Sequence, residues 1–489
     1  MSTTADTARA HAPVVAGIDV ATAAVRVLCA DAEGRILAEG RAPLPQPVRG
    51  PGGLSEQDAR TWWPATAAAL RQATAALPGG GREVVAVAVS ATSGTLVLAG
   101  PDGEPVAPAL MYDDRRSADL NARAQELGAP RWRALGLAVG PTAALGKFVR
   151  FAERARQGQN VLHTPDLMGR KLTGHPVATD WSHALKSGYD PRAGEWATEV
   201  FGELGVPASA MPAVQAPGTR SGTVSAAAAD ETGLPAGCEV RLGMTDGCAG
   251  QIATGAVRPG QFVGVLGTTY VLKGVTRELV TDPAGALYSH RHPDGWWLPG
   301  GASNTGGEAV ASVDPARLPG LDAGAEAQGP ASYVSYPLRR EGERFPFVSG
   351  EARGFSTGAP ADEVEAHRAA LEGVAFLERL SLERVQALGV EVSGPLHAAG
   401  GGSRSALWCR VRATVLNRPL RVAERAETAF GAALLAAAGT LHPDLSASAA
   451  AMATAGRTVD PVERERAQLE ESYQCFLAEL RTRGWLSGG

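Results

Sequence analysis

The chain has 489 residues, 44% of them hydrophobic and 20% charged, with a formal charge of −5. That length suits two or three domains with substantial cores, and the composition is ordinary globular usage, which excludes wholesale disorder. No segment is strongly basic, so the electrostatic footprint of a nucleic-acid binder is missing.

Residues 14–40 predict an opening set of strands: Val14–Ile18, Ala24–Ala30 and one starting at Arg35, with a turn at Asp31–Gly34. Asp19 falls where the first strand ends and the chain reverses. A helix is expected from about Ser55, with Ser55 and Asp58 as an approximate capping box and Pro64 delaying or kinking it. Val84–Val89 reads as a buried strand ending at Ser90-Ala91-Thr92-Ser93. Thr95–Ala99 reads as its hairpin partner, with a turn at Pro101-Asp102-Gly103. Segment 206–236, rich in Pro, Gly and Ala, reads as irregular connection. The strand–small turn–strand pattern then returns as Gln261–Leu266, Gly267-Thr268-Thr269 and Tyr270–Lys273. Helices follow at about 361–388, 403–417 and 461–484. Two similar α/β domains facing a cleft is the economical arrangement, with the boundary near 240–245.

The five cysteines stand at 29, 238, 248, 409 and 475 and form no CxxC pair. That argues against a zinc knuckle or a disulfide framework and for a reducing compartment. The polar N-terminus has no apolar h-region, and the longest apolar runs fall short of the ~20 residues that span a bilayer. A soluble cytoplasmic protein with a disordered tail over residues 1–13 is expected.

Four motifs carry possible chemistry. The first is Gly17-Ile18-Asp19-Val20-Ala21-Thr22. A carboxylate at a strand end can hold Mg²⁺ through water, and the turn's N–H groups and hydroxyl can approach phosphates. An ordinary hairpin with a turn-capping Asp is the plain alternative. The second is Gly267-Thr268-Thr269, the matching turn of the second half, where small residues let backbone donors face a phosphate. The third is Gly243-Met244-Thr245-Asp246-Gly247, in which Asp246 sits at a helix start. There it is either an N-cap worth ~1 kcal/mol or a carboxylate that accepts a proton from a substrate hydroxyl. The fourth is Gly400-Gly401-Gly402-Ser403, a glycine turn between strand and helix that suits an approaching ribose or adenine, or is a plain loop. Two patterns fail. Gly140 to Lys147 has five residues between its glycines and Phe148 where a P-loop has a hydroxyl. His290-Arg291-His292 lacks a third metal ligand and reads as a surface or substrate loop.

In this order the motifs resemble the FGGY carbohydrate kinases from about Val14 to Gly439, with Glu427-Thr428-Ala429-Phe430-Gly431-Ala432-Ala433 similar to a late family stretch. His183–Asp190, Tyr288–Arg291, Gly300–Gly307 and Glu343-Arg344-Phe345-Pro346 are similar to D-ribulose kinases of the plant and cyanobacterial type, which are often labelled xylulose kinases. The resemblance implies an α/β fold of two actin/hexokinase-like (ribonuclease H-like) ATPase domains facing a central cleft. It assigns residues 14–243 to the sugar side and 244–489 to the nucleotide side. It implies ATP and Mg²⁺, a free ketopentose as partner, no nucleic acid or membrane, and a monomer or homodimer. The implied reaction is phosphorylation of a terminal hydroxyl, D-ribulose to D-ribulose 5-phosphate, with D-xylulose, L-ribulose or a polyol such as glycerol as alternatives. By the same resemblance Asp246 is the catalytic base and touches the sugar, as do Thr92 and Ser93. Asp19 holds Mg²⁺ through water and borders the substrate. Asp19 and Thr22 serve the Mg-ATP phosphates, Gly267, Thr268 and Thr269 the phosphate tail, and Gly401, Gly402 and Ser403 the adenosine. Ala21 and Ala23 stand where the family has Gly and a hydroxyl residue, and Ser90-Ala91 where the ribulose group has Asp-Gly. These departures keep a non-catalytic sugar or nucleotide sensor as the rival of a different class; an actin-fold ATPase or chaperone is a third, disfavoured because the sugar-kinase features extend through the chain. The Ala21 departure is compatible with activity if its φ is negative.

Overall fold

The computed structural model describes residues 12–486; the tail expected over 1–13 lies, except for its last two residues, outside the described residues. Contacts divide the chain into two compact units. The first runs to Trp132 and adds Val139–Ala253 and Glu427–Ala453; the second holds Arg133–Ala138, Thr254–Ala426 and the chain from Thr454.

The sheet of the first unit is built from β1 (Val14–Val20), β2 (Ala24–Ala30), β3 (Ile36–Pro43), β4 (Val84–Ala91), β5 (Arg220–Thr223) and β6 (Glu239–Thr245). Its order is β5-β6-β4-β1-β2-β3. β6, β4 and β1 are mutually parallel, whereas β1–β2–β3 is an antiparallel meander and β5 an antiparallel edge. Every residue of β1 is buried, as a strand covered on both faces requires. One face is closed by the helix Thr428–Ala437, which lies close enough that a Cβ on Gly17 would stand 1.9 Å from the Ala429 carbonyl oxygen. Gly431 makes the same kind of approach to Ala249 on the helix Asp246–Ala253. Small residues here let backbone meet backbone.

The second unit repeats the plan. It contains β7 (Phe262–Leu266), β8 (Tyr270–Gly274), β9 (Tyr288–Arg291), β10 (Trp297–Ala302), β11 (Leu396–Ala399), β12 (Leu420–Ala423) and β13 (Ala455–Val459). The order is β9-β10-β8-β7-β11-β12-β13. Again three antiparallel strands (β10-β8-β7) lead to two strands parallel to β7 (β11, β12) and an antiparallel edge (β13). The α/β class and the repeated strand–turn–strand unit are therefore real at the level of topology. Helices Glu363–Ala387, Ala406–Leu416 and Arg466–Thr482 complete its core, with Leu371, Trp408, Tyr473 and Phe476 in one cluster.

Several local expectations are corrected. Thr95–Ala99 is no hairpin partner of β4. Gly94 turns the chain at φ +84°, and Leu96–Ala99 joins a separate five-stranded sheet beside Asn160–His163 and Ala109–Leu110. Leu54–Gln57 is a strand and the helix begins at Trp62, so Pro64 sits in the first turn, where its missing N–H costs nothing. Segment 206–236 is not irregular throughout: it contains β5 and the helix Ala226–Thr232. The 243/244 boundary falls within the first unit, because the helix Asp246–Ala253 continues directly from β6 and packs there. His290-Arg291-His292 is no surface loop. Tyr288–Arg291 is paired sheet, and His290 and His292 are buried.

Candidate functional site

In the first unit the register aligns Val20 with Ala91 and Ala91 with Thr245 across three parallel strands. Their carboxyl ends therefore share one edge, the place where open α/β sheets bind ligands. Asp19 and Thr22, Thr92 and Ser93, and Asp246 all emerge there. Ala21 and Thr22 line the same crevice as Thr92, Gln57, Trp62 and Met111.

Asp19 is 4% exposed. One carboxylate oxygen takes the Arg26 guanidinium at 3.0 Å; the other is buried without a partner. Burial raises its pKa to about 6 against the lowering effect of Arg26, with the neighbouring Asp246 charge adding to the rise. An uncompensated buried oxygen of this kind suits a cation, and Mg²⁺ is commonly held by one or two carboxylates with its waters retained rather than by a protein cage. Among the described residues no group of three or more His, Cys, Asp or Glu forms such a cage. The Ser93 hydroxyl is a second buried polar atom without a partner. Ala21 has no positive φ, since Asn417 alone among the described non-glycine residues does. The Thr22 carbonyl is held by Gln57 Nε2 at 2.9 Å.

Asp246 is half-buried at the first position of its helix, with Oδ1 accepting the Gly247 N–H at 2.7 Å. The strand end before it is fixed from below. The Ser182 hydroxyl accepts the Thr245 N–H at 2.9 Å and donates to Asp180 at 2.5 Å. Asp180 also takes His183 Nδ1 at 2.6 Å. Burial alone would drive both partners of this dyad neutral, but their attraction prevails, holding Asp180 below and His183 above their ordinary values. This support was not anticipated, although Asp180 two residues before Ser182 is an N-cap spacing that signals it.

Lys147, from the failed P-loop pattern, is also fully buried. Its ammonium donates to the carbonyls of Gly94 (2.9 Å), Met111 (2.7 Å) and Tyr112 (3.0 Å), tying the loop after Ser93 to the Met111–Asp114 loop. Burial lowers its pKa to about 8, opposed by Asp114 and Asp113.

In the second unit Gly267, Thr268, Gly401 and Gly402 line one cavity of about 620 Å³. Leu318, Leu371 and Trp408 supply apolar wall, and Asp322 and Arg404 polar groups. A Cβ on Gly401 would meet nothing within 4 Å, and one on Gly267 only the Thr269 carbonyl oxygen at 3.8 Å. Neither glycine is demanded by packing or by positive φ, which suits a ligand approaching the backbone. Gly400 (φ +87°) and Gly402 are different, because Leu266 fills the space their side chains would need. Thr269 and Ser403 do not line the cavity. The Ser403 hydroxyl is spent on the Ala399 carbonyl at 3.0 Å.

The FGGY family of carbohydrate kinases matches the chain with its N-terminal domain over residues 14–253 and its C-terminal domain over 261–440. A xylulose kinase of Streptomyces rubiginosus is 32% identical over 479 residues, covering 94% of this chain and 95% of that protein. One from Streptomyces coelicolor is 32% identical over 482 residues, with the same shares covered. The crystal structure of xylulose kinase from Rhodospirillum rubrum superposes with a TM-score of 0.84 at 26% identity, over 96% of this chain and 98% of that one. Two repeated α/β units, a carboxylate cluster at a strand edge and a glycine-lined cavity thus meet a full-length match, and the chain belongs to the FGGY family of carbohydrate kinases, enzymes that transfer phosphate from ATP to a sugar.

Proposed function

We propose that the chain phosphorylates the terminal 5-hydroxyl of a free ketopentose. The observation that carries this reading is the convergence of Asp19, Thr92, Ser93 and Asp246 at one strand edge, with buried Asp19 and Ser93 oxygens awaiting partners. Asp246 orients the sugar hydroxyl and takes its proton as the oxygen attacks the γ-phosphorus. The new O–P bond forms as the bond to the β-phosphate oxygen breaks and ADP leaves in line. Asp19 would hold Mg²⁺ through water, and that ion supplies neutralisation of phosphate charge. Gly267 and Thr268 would take the phosphate tail, and Gly401 and Gly402 the adenosine end. The Ser403 hydroxyl, bonded to the Ala399 carbonyl, is left out of this assignment.

D-xylulose and D-ribulose differ only in configuration at C3, so recognition of that hydroxyl decides between them. The relatives are named xylulose kinases, and on that ground we place D-xylulose first. D-ribulose is the second reading, carried by the His183–Asp190 and Glu343–Pro346 stretches and without support from the relatives. A cytoplasmic location goes with this reading; among the described residues no helix is long and apolar enough to cross a membrane.

The test is coupled ADP release with a panel of ketopentoses, polyols and no sugar. Release that depends on a ketopentose is expected, with the higher kcat/KM for D-xylulose. Sugar-independent release would indicate an ATPase, and sugar binding without release a sensor. In the same assay Gly267→Val and Gly401→Val should fold normally and raise the KM for ATP at least tenfold.

A further inference from the structure

The hairpin turn Gly267–Thr269 has little to hold it by itself. One internal bond joins the Gly267 N–H to the Thr269 carbonyl at 3.1 Å. The rest of its geometry comes from the loop after β10. Ser303 N–H donates to the Tyr270 carbonyl (2.9 Å), and Tyr270 N–H to Thr305 (2.8 Å). Gly307 N–H donates to Gly267 (2.8 Å) and Glu308 N–H to Thr268 (3.0 Å). Gly306 passes so close that a Cβ would stand 2.4 Å from the Thr269 carbonyl carbon. Segment 303–308 is therefore the mould of the turn.

The mould in turn hangs on one buried carboxylate. Glu343 is 3% exposed. Its Oε2 accepts the hydroxyls of Ser303 (2.8 Å), Thr305 (3.1 Å) and Tyr336 (2.8 Å). Its Oε1 accepts the backbone N–H groups of Asn304 (2.6 Å) and Arg344 (2.9 Å). The Asn304 amide adds a bond to the Gly342 carbonyl at 2.9 Å. Burial first, and Glu343 second, push the Tyr336 phenol well above its usual range, so it remains a donor. Five hydrogen bonds thus converge on the two oxygens of one buried side chain.

We propose that Glu343 is a positioning residue for ATP: by fixing residues 303–305 it sets the shape of the Gly267–Thr269 turn and so the affinity for the phosphate tail, without touching the nucleotide. This rests on the proposed reading that the turn receives phosphate. It gives Glu343, the first residue of the Glu343-Arg344-Phe345-Pro346 stretch, a role set by its hydrogen bonds.

The experiment compares wild type with Glu343→Ala, Glu343→Gln, Tyr336→Phe and Gly267→Val. It measures kcat, KM for ATP and for sugar, and calorimetric affinity for ATP and for adenosine. Glu343→Ala should raise the KM for ATP at least tenfold while leaving the KM for sugar and the affinity for adenosine within about twofold. Glu343→Gln, which keeps one acceptor oxygen, and Tyr336→Phe, which removes one donor of five, should give smaller rises in the same parameter. A purely structural role would lower the active fraction and leave KM for ATP alone. If Gly267→Val raises the KM for ATP but the Glu343 and Tyr336 variants do not, the inference is overturned while the phosphate-turn reading stands. If Gly267→Val itself has no effect, the reading of the turn fails first. Should Glu343→Ala not fold, unchanged KM for ATP in both Glu343→Gln and Tyr336→Phe overturns the proposal.

Discussion

Asp19 is a single residue whose buried charge weighs against the folded state. A carboxyl whose pKa rises from 3.8 to about 6 on folding contributes stability that is fully present below 3.8 and lost as pH rises through 6. At ~1.4 kcal/mol per pKa unit, its charge costs the apo protein about 3 kcal/mol at neutral pH. Asp19→Asn should therefore stabilise the ligand-free protein at pH 7.5 by roughly 1–3 kcal/mol, the attraction of Arg26 being already contained in the net rise. The variant should also flatten the stability curve between pH 4 and 7 and abolish most sugar-dependent ADP release. Urea unfolding at three pH values checks it, and a variant less stable than wild type at pH 7.5 contradicts it. Asp246 calls for a different substitution logic. Asp246→Asn keeps an oxygen for the Gly247 N–H but cannot accept a proton, so turnover should fall by ~10²–10⁴ with ATP affinity preserved. Single-turnover transfer measures this directly, and near-full activity would leave Asp246 a structural cap.

At the scale of elements, the two glycine turns of the second unit rest on a buried ion pair. Arg412, on the helix Ala406–Leu416, donates to both oxygens of Glu378 (2.6 and 2.7 Å) on the helix Glu363–Ala387, and both side chains are fully buried. It also reaches the Gly264 carbonyl on β7 (3.2 Å) and the Ser403 hydroxyl (3.4 Å). The absent side chain at Gly264 is the space Glu378 occupies. Removing one partner strands the other charge in the core, so Arg412→Met should cost ~3–5 kcal/mol, whereas the double variant Arg412→Met/Glu378→Met should recover most of it. Denaturant midpoints of Arg412→Met, Glu378→Met and the double variant test this, and additive losses would mean the two charges are not coupled. Because the pair spans β7 and the Gly401 turn, Arg412→Met should also raise the KM for ATP.

For the whole molecule, the chain's path matters more than its two-fold repetition. Residues Glu427–Ala453 belong to the first unit although they follow most of the second in sequence. The helix Thr428–Ala437 covers β1, and residues 429–437 are all buried. A fragment ending at residue 253 would expose that face of the sheet, with the notch at Gly17 open. It should be insoluble or molten, and joining residues 427–453 to it through a flexible linker should restore cooperative unfolding. Circular dichroism and thermal melts of the two fragments decide, and a shorter fragment that melts cooperatively by itself would show that the helix is dispensable.

Much of this was legible from residues in order along the chain. Strand runs such as Val14–Ile18 and Gln261–Leu266 are read from local apolarity, the first of them continuing in the structure through Asp19 to Val20; the turn at Gly267 and the helix start at Asp246 are read from short-range backbone chemistry. The repetition of these patterns indicated two α/β units, and the ordered motifs indicated the family. What could not be read was pairing at long separation. That β4 lies beside β1 and β6 rather than against Thr95–Ala99 depends on contacts between segments up to 150 or so residues apart, which no local pattern encodes. The same holds for Ser182 beneath Thr245, Lys147 between two loops and Glu343 behind the Gly267 turn. Each is a buried polar group whose role is defined by partners distant in sequence. Tertiary structure decided them because a buried charge must find its donors or acceptors wherever the fold brings them.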